Sequence, residues 1–253
     1  MKYFKQYDTD SGFTQTEGDY YIKSVTPGVG IVDDTHETKY NKDYENIILF
    51  YDVENESGTT KIYENSSLIG TNLVDVIVDH KKVEKSSLTK TYSFGTAGKH
   101  SIIWRFKDSS VIPRGAFCGC TDATHVIFSS KFESFDGGYT FLGCNKMGRK
   151  NPIIIPESVK SAGASTFLIN SADHIYRTFI LLPKTPPTNG SNAFSIKRPG
   201  QGPYTGQDTT IYVPWSEDGS ILQAYKDAFN TFSYAGNYYK IYELTPDGKI
   251  PTN

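Results

Sequence analysis

The side chains best suited to chemistry in this chain are its three cysteines and five histidines. The histidines are far apart and form no close-spaced metal pair; they are His36, His80, His100, His125 and His174. The cysteines are Cys118, Cys120 and Cys144. They lack the paired spacing and fourth ligand of a zinc site, so they are predicted to be small buried residues. A Cys118–Cys120 or Cys120–Cys144 disulfide stays open as an alternative, although it is not expected in a protein assembled in the cytoplasm.

An acidic turn near the N-terminus has part of the spacing of a calcium loop. It runs Asp8-Thr-Asp10-Ser-Gly12, and the twelfth residue counted from Asp8 is Asp19. However, Gly12 stands where the fifth position needs a ligand, and Phe13 stands where the sixth needs glycine. A solvated acidic turn is therefore the expectation, and no metal site is predicted.

Nucleophilic and phosphate-binding motifs are also missing. The segment Gly95-Thr-Ala-Gly98-Lys99 is too short for a phosphate loop and is followed by a predicted strand, so it is interpreted as a hairpin turn. No Gly-x-Ser-x-Gly elbow occurs, and no cysteine has an evident histidine partner. The sequence predicts no catalytic, cofactor-binding or metal-binding residue, and we expect the protein not to be an enzyme.

Composition narrows the classes of partner. The chain has 253 residues, with 26 Lys and Arg against 28 Asp and Glu, and 37% of its residues are hydrophobic. That is enough for one large or two small domains with a packed core. The sequence has no basic stripe of the kind that binds nucleic acid, and no apolar run reaches the roughly 18 residues needed to span a bilayer.

The first ten residues lack the apolar core of a secretion signal, so we expect the chain to stay inside its producing cell or to leave by assembly into a particle.

Four phenylalanines in the second half of the chain recur at nearly constant spacing. Phe117, Phe141, Phe167 and Phe194 are 24, 26 and 27 residues apart. Each precedes an apolar run; these are Val126–Phe128, Ile153–Ile155, Ile180–Leu182 and Ile211–Val213. A period in the twenties is typical of leucine-rich repeats, whose units bury their apolar faces only by stacking on one another. We expect each run to be a short parallel strand and each Phe to fill the interior behind it. The Cys or Asn that follows should bond backbone groups in the bend.

These units resemble the BspA-type leucine-rich repeats of gut Bacteroidetes and their phages. The unit Ile155-Pro-Glu-Ser-Val159-Lys-Ser-Ala-Gly163-Ala-Ser-Thr-Phe167-Leu-Ile-Asn170 follows that family's pattern almost position by position. The match covers about residues 110 to 245, and its closing stretch from Ile211 to Phe229 is similar to the end of such arrays. The resemblance implies repeats over residues 109–214 and a capping unit over residues 215–253.

Residues 45–108 have a different pattern, in which short apolar strands alternate with polar turns. The predicted strands are Ile47–Phe50, Thr60–Tyr63, Leu73–Val78, Thr91–Phe94 and Ser101–Phe106. Five strands at this spacing indicate a small antiparallel sandwich. The turn from Ala97 to His100 resembles the final hairpin of immunoglobulin-like domains that precede such repeats. The predicted fold class is mainly β, with a small Ig-like sandwich followed by a short, irregular repeat solenoid and a C-terminal cap.

Residues 1–44 are polar and punctuated by Pro and Gly. The stretch from Thr26 to Asn41 resembles a segment of virion proteins from Bacteroides (crAss-like) phages, where an extended arm precedes the folded domains. An arm with so few apolar residues should become ordered only by lying on a partner. Its expected partners are other virion proteins.

The resemblances and the motif analysis together suggest a non-enzymatic structural or adhesive virion protein, acting as a head-associated fibre or decoration. We expect a homo-oligomer that contacts a host-surface protein or glycan. The alternative is a secreted or surface-anchored bacterial adhesin, located outside the cell or on its surface. If the protein binds a ligand, the longest insertion, residues 197–208, is the first candidate surface; a flexible loop without a ligand is equally compatible with its Gly/Pro-rich composition.

Overall fold

The computed structural model of the protein is mainly β, with one α-helix among the residues that it describes. Those residues are 13–16, 19–22, 45–56, 58–70, 72–79, 81–107, 111–129, 131–135, 137–169, 177–188, 193–194, 209–230 and 239–251; the first two ranges, residues 45–46 and residue 230 are described as backbone only.

The strands among these residues are numbered in chain order. They are β1 (Phe13–Thr16), β2 (Asp19–Ile22), β3 (Glu45–Val53), β4 (Thr60–Lys61), β5 (Leu73–Val78), β6 (Lys81–Val83), β7 (Thr91–Tyr92), β8 (Gly98–Phe106), β9 (Val111–Ile112), β10 (Ala123–Phe128), β11 (Ser134–Phe135), β12 (Ile153–Ile155), β13 (Ser161–Ala162), β14 (Arg177–Leu181), β15 (Thr209–Val213) and β16 (Tyr239–Glu243). The helix α1 (Ser220–Asn230) lies between β15 and β16, and 3₁₀ turns span Ser66–Ile69 and Lys85–Ser87.

An antiparallel five-stranded sheet, in the order β10-β3-β8-β5-β6, forms the first half of the molecule. Consecutive residues of a strand point to opposite faces of the sheet. In the central strands several consecutive residues are hydrophobic, as in Ile47-Ile-Leu-Phe50, so both faces are apolar. Side chains on the face that we call inner, among them Leu49 and Trp104, join the main core. Their neighbours on the outer face, among them Ile48 and Ile103, form a separate cluster.

This sheet crosses the domain boundary predicted between residues 108 and 109. The strand β10, predicted as the first repeat strand, pairs antiparallel with β3 along its length. It also lies beside β12, and the amide of Gly148 donates to the carbonyl of Thr124 at 3.1 Å. One continuous inner core consequently runs from Ile47 to Phe229.

Strands lie at all five positions predicted for the N-terminal half, but β4 and β7 have two residues each where four were predicted. The turn after Phe94 also does not join a paired hairpin. The strand β7 before the turn pairs with β4 in a separate two-stranded sheet, whereas β8 after it enters the five-stranded sheet. The expectation of a hairpin at Gly95–Lys99 is therefore wrong: the turn links two sheets.

The second half is built from parallel strands. One parallel sheet has the order β12-β14-β15-β16 and another, shorter one has the order β13-β11-β9. Within a unit the chain enters the shorter sheet first and the longer sheet next, because β11 precedes β12 and β13 precedes β14. In the first unit β9 precedes β10, which belongs to the antiparallel sheet. Partner residues in these parallel pairs are 23 to 32 residues apart in sequence. This spacing follows from the repeated unit, since equivalent segments of neighbouring units meet side by side.

The four recurring phenylalanines lie between these sheets, and their predicted burial is confirmed. All four are fully buried. Neighbouring rings stack with centroids 5.3, 5.2 and 5.7 Å apart and interplanar angles of 16°, 9° and 16°. Phe229 of α1 continues the stack beyond Phe194, at 6.2 Å and 14°. Backbone segments around these phenylalanines also form hydrogen bonds between neighbouring units; for example, the amide of Phe141 donates to the carbonyl of Thr166 at 2.7 Å. Ring stacking and these bonds together hold neighbouring units at a constant distance.

Close backbone contact between two units depends on glycine. Gly138 has φ of +83°, and a Cβ atom built there would lie 2.1 Å from the carbonyl oxygen of Ala164. Gly163 approaches from the other side, where a Cβ would lie 2.0 Å from the amide nitrogen of Gly138. Glycine is required at Gly138 by both its backbone conformation and this separation, and at Gly163 by the separation alone.

One predicted strand is displaced toward the N-terminus. The apolar run Ile180–Leu182 was expected to be the third repeat strand, but β14 ends at Leu181, and Ile155 pairs with Leu181. The strand also begins earlier, at Arg177, whose charge conceals it in the hydrophobic pattern. The extra residue Leu182 sits in the outer cluster before Pro183.

Candidate functional site

A row of side chains crosses the outer face of the parallel sheet. The register places Ile154 beside Ile180, then Tyr212 of β15, then Tyr242 of β16. The row is aliphatic and buried at its first two positions, and Ile180 is only 1% exposed. At the last two positions it is aromatic, and Tyr242 is 47% exposed. The outer face therefore ends in an accessible tyrosine pair.

The tyrosine pair is ordered by the sheet beneath it. The ring centroids of Tyr212 and Tyr242 lie 5.8 Å apart with the planes inclined at 32°. Partial burial, and to a lesser extent the neighbouring Tyr242, raises the pKa of Tyr212 above its usual value. Its hydroxyl is therefore protonated at neutral pH, so it can both donate and accept a hydrogen bond.

Contacts below the pair hold β16 against the start of α1. The carboxylate of Glu243 accepts from the amide and the hydroxyl of Ser216, both at 3.3 Å. The Ser216 hydroxyl oxygen in turn accepts from the amide of Ile221 at 3.2 Å. Trp215, 41% exposed, precedes this serine in the same connection. Such a surface, with aromatic faces and hydroxyl tips held by a sheet, is suited to binding.

An Asp–His pair in the first half has the composition of a catalytic dyad but not its geometry. The Nδ1 atom of His100 lies 2.6 Å from the carboxylate of Asp79. Its Nε2 atom lies 2.9 Å from the carbonyl oxygen of Thr96, to which it must donate because a carbonyl only accepts. The ring also stacks on Phe94 at 4.3 Å. No ring nitrogen is left to act as a base, so the pair ties β5, β8 and the preceding turn together.

The thiols lie in the interior or at its edge. All three cysteines are free, and Cys120 and Cys144 are buried. Burial raises the pKa of both thiols, that of Cys144 to about 12, so neither is a nucleophile at neutral pH. The thiol of Cys144 donates to the carbonyl of Phe117 at 3.2 Å, which is the bend contact predicted for this repeat position. The equivalent residue of the next unit, Asn170, lies outside the described residues.

Sequence reasoning missed a buried arginine in the repeat core. Arg177 is 1% exposed, and its guanidinium donates to the carbonyls of Phe167 and Cys144, each at 2.5 Å. Burial lowers its pKa to about 10. Since both contacts cap backbone oxygens of neighbouring units, the arginine acts as a cross-link between repeats. The signal in the sequence was the apolar run Phe179–Leu182, which begins two residues after it.

Other predicted positions fall outside the described part of the chain or form no site within it. The Asp8–Gly12 turn, the loop of residues 197–208, His36, His80 and His174 are not among the described residues. In the residues that are described, no group of three or more His, Cys, Asp or Glu side chains could hold a metal ion. The same residues include no helix long and apolar enough to cross a membrane.

Comparisons of the chain with protein-family models, with curated proteins and with solved structures found no match.

Proposed function

We propose that this chain is a non-enzymatic structural and adhesive virion protein, in which an Ig-like β-domain carries a short BspA-type leucine-rich-repeat array closed by a C-terminal cap. The observation that carries the proposal is the tyrosine pair at the end of a stack of units, in which Tyr212 is half-buried and Tyr242 is exposed. Repeat arrays bind ligands through side chains that project from one face of their parallel sheet. The pair occupies that position here.

The stacking geometry supports the repeat assignment. Parallel strands, one ladder of phenylalanines and backbone bonds between equivalent turns are the features expected of units that share a core. The helix α1 supplies the cap. Its Tyr225 hydroxyl donates to the carbonyl of Pro183 at 2.8 Å, and its Phe229 covers the last ring of the ladder.

Placement in a Bacteroidetes phage particle rests on the resemblance of residues 26–41 and of the repeats. In this proposal the N-terminal segment contacts other virion proteins, the chain forms a homo-oligomer as a head-associated fibre or decoration, and the tyrosine pair contacts a host-surface protein or glycan. The tyrosine pair also suits the second candidate, a secreted or surface-anchored bacterial adhesin, because an exposed aromatic platform serves attachment equally well in either location.

Fractionation of a culture that produces the chain tests its location. Quantitative mass spectrometry of purified particles should find the chain at a fixed ratio to the capsid protein, and mass measurement of the isolated chain should give an oligomer. Recovery of a stable monomer only from the medium or the bacterial surface would instead favour the adhesin.

Attachment to host cells tests the tyrosine pair. Tyr242→Ala should reduce binding of the purified protein to host cells at least tenfold, whereas Tyr242→Phe should retain most binding if the ring face makes the contact. Lys240→Ala is the matched control, because it lies on the same strand two residues away and projects to the same face. Equal loss in the Lys240 variant, or none in the Tyr242→Ala variant, would exclude the pair as the binding surface.

A further inference from the structure

The tyrosine pair has a polar neighbour on the same face of the sheet. Thr210 comes two residues before Tyr212 on β15, so the two side chains point to the same side of the strand. The burial pattern agrees, because Thr210 and Tyr212 are half-buried whereas Ile211 between them packs in the inner core. Two residues along a strand span roughly 7 Å, so a hydroxyl group lies beside the rings.

The rings themselves combine apolar faces with hydrogen-bonding tips. Tyr242 is 47% exposed and Tyr212 is half-buried, so part of each ring is in contact with solvent. The phenolic hydroxyl of each ring and the hydroxyl of Thr210 can all donate and accept hydrogen bonds. A ligand that lies on this surface therefore meets apolar area and hydroxyl groups close together.

This mixture of groups favours a saccharide over an apolar side chain of a protein. A pyranose has C–H groups on its faces and hydroxyl groups around its rim, so a sugar that stacks on a tyrosine ring can also bond to the surrounding hydroxyl groups. An aliphatic side chain placed over the same rings would cover the hydroxyl of Thr210 without bonding to it. Because a buried polar group without a partner costs free energy, the patch selects a ligand that is itself both apolar and hydrogen-bonding.

The separation of the two rings indicates the size of that ligand. Their centroids lie 5.8 Å apart, which is close to the length of one pyranose in a linear saccharide, so consecutive sugar units can each lie on one ring. On one side the row continues to Ile180, which is 1% exposed and therefore not accessible to a ligand. On the other side it ends with β16, the last strand of the sheet. The accessible part of the row thus consists of the two rings.

We propose that the tyrosine pair binds a saccharide of at least two pyranose units, with one unit stacked on Tyr212, the next on Tyr242, and the Thr210 hydroxyl bonded to a sugar hydroxyl. This rests on the proposed function, in which the same pair contacts the host surface, and it names a glycan and not a protein as the ligand. The stacking supplies most of the affinity, and the hydroxyl of Thr210 selects among sugars by the position of their hydroxyl groups.

Inhibition of cell attachment tests the ligand class. The probe is a protein-free fraction of short oligosaccharides prepared from the host cells, and it should inhibit attachment of the purified full chain to those cells. The same fraction hydrolysed to monosaccharides is the control and should inhibit about tenfold less, because one unit covers only one ring. If the oligosaccharides do not inhibit while Tyr242→Ala still abolishes attachment, the ligand is not a glycan and this proposal fails, but the pair remains the binding surface. Equal inhibition by the monosaccharides would overturn the arrangement of two stacked units.

Substitutions on β15 test the contacts with the same oligosaccharide fraction. Tyr212→Leu keeps an apolar contact with the outer cluster but removes the ring, and it should weaken binding about tenfold. Thr210→Val removes the hydroxyl with little change of shape and should weaken binding about fivefold, whereas Thr210→Ser keeps the hydroxyl and should bind as the wild type does. Circular dichroism verifies that each variant is folded. Wild-type binding by Tyr212→Leu, or equal loss in the two Thr210 variants, would overturn the proposal.

Discussion

The inner and outer faces of the sheet are both apolar, yet they are encoded differently. The inner face packs on a ladder of phenylalanines supplied at regular intervals by the same units that form its strands. The outer face packs on no such ladder among the described residues, although its isoleucines are buried. The periodic sequence therefore predicts the inner core, whereas the outer apolar face is recognised only from the burial of its isoleucines in the structure.

The largest difference should come from the centre of the ladder. Phe141 contacts the rings of Phe117 and Phe167 and those of two further aromatic residues. Phe141→Ala should lower the free energy of unfolding by about 3 to 5 kcal/mol through cavity formation, and the loss should spread to neighbouring units. Chemical denaturation of both proteins measures it. A change near zero would mean that the ladder is not a shared core.

The outer face should make stability depend on pH through His125. This residue is buried beside Phe50, and burial lowers its pKa to about 4. The unfolded chain, with an ordinary histidine pKa near 6.5, binds the proton more readily, so stability is complete above about pH 6.5 and falls as the pH drops toward 4. The loss should approach about 3 kcal/mol.

Comparison with His125→Phe isolates this contribution from the carboxylates. The difference in unfolding free energy between the two proteins should change between pH 7 and pH 4 in that direction. A difference that is constant with pH would place the histidine in contact with water in the folded protein.

Matched single-methyl deletions compare the two faces directly. Ile102→Val and Ile103→Val remove one methyl group at neighbouring positions of β8, the first inner and the second outer. Each should cost about 1 kcal/mol if both faces are covered, as is typical of buried positions. Thermal or denaturant unfolding measures both variants. If the Ile103 variant is as stable as the wild type, the inner and outer faces are not equally buried.

The smallest effect is expected at the exposed end of the outer face. Tyr242→Ser should change the free energy of unfolding by no more than about 0.5 kcal/mol, because Tyr242 is largely accessible. The same denaturation assay measures it. A cost above 2 kcal/mol would indicate that this ring is part of a packed layer and not an open surface.

Which features of the fold and of the candidate site can be predicted from the sequence depends on how far apart the interacting residues are along the chain. The Phe spacing and the strands β5 and β12 were predicted correctly, because local periodicity encodes them. The pairing of β10 with β3 was not, since the two strands are about 75 residues apart in sequence and no local pattern specifies the contact. Arg177 was missed because a charged residue is ordinarily assigned to the surface. The tyrosine pair required the register of β15 and β16, which the composition does not reveal.

The strand β10 has a consequence for how such a molecule can change size. The strand is the edge of the antiparallel sheet and also lies beside β12, the first strand of the longer parallel sheet. The repeats therefore begin at the antiparallel sheet and end at α1. Between these ends every junction is equivalent in kind. A duplication of about 27 residues could therefore add one repeat unit to the stack while both ends stay the same. The tyrosine pair would then lie farther from the antiparallel sheet.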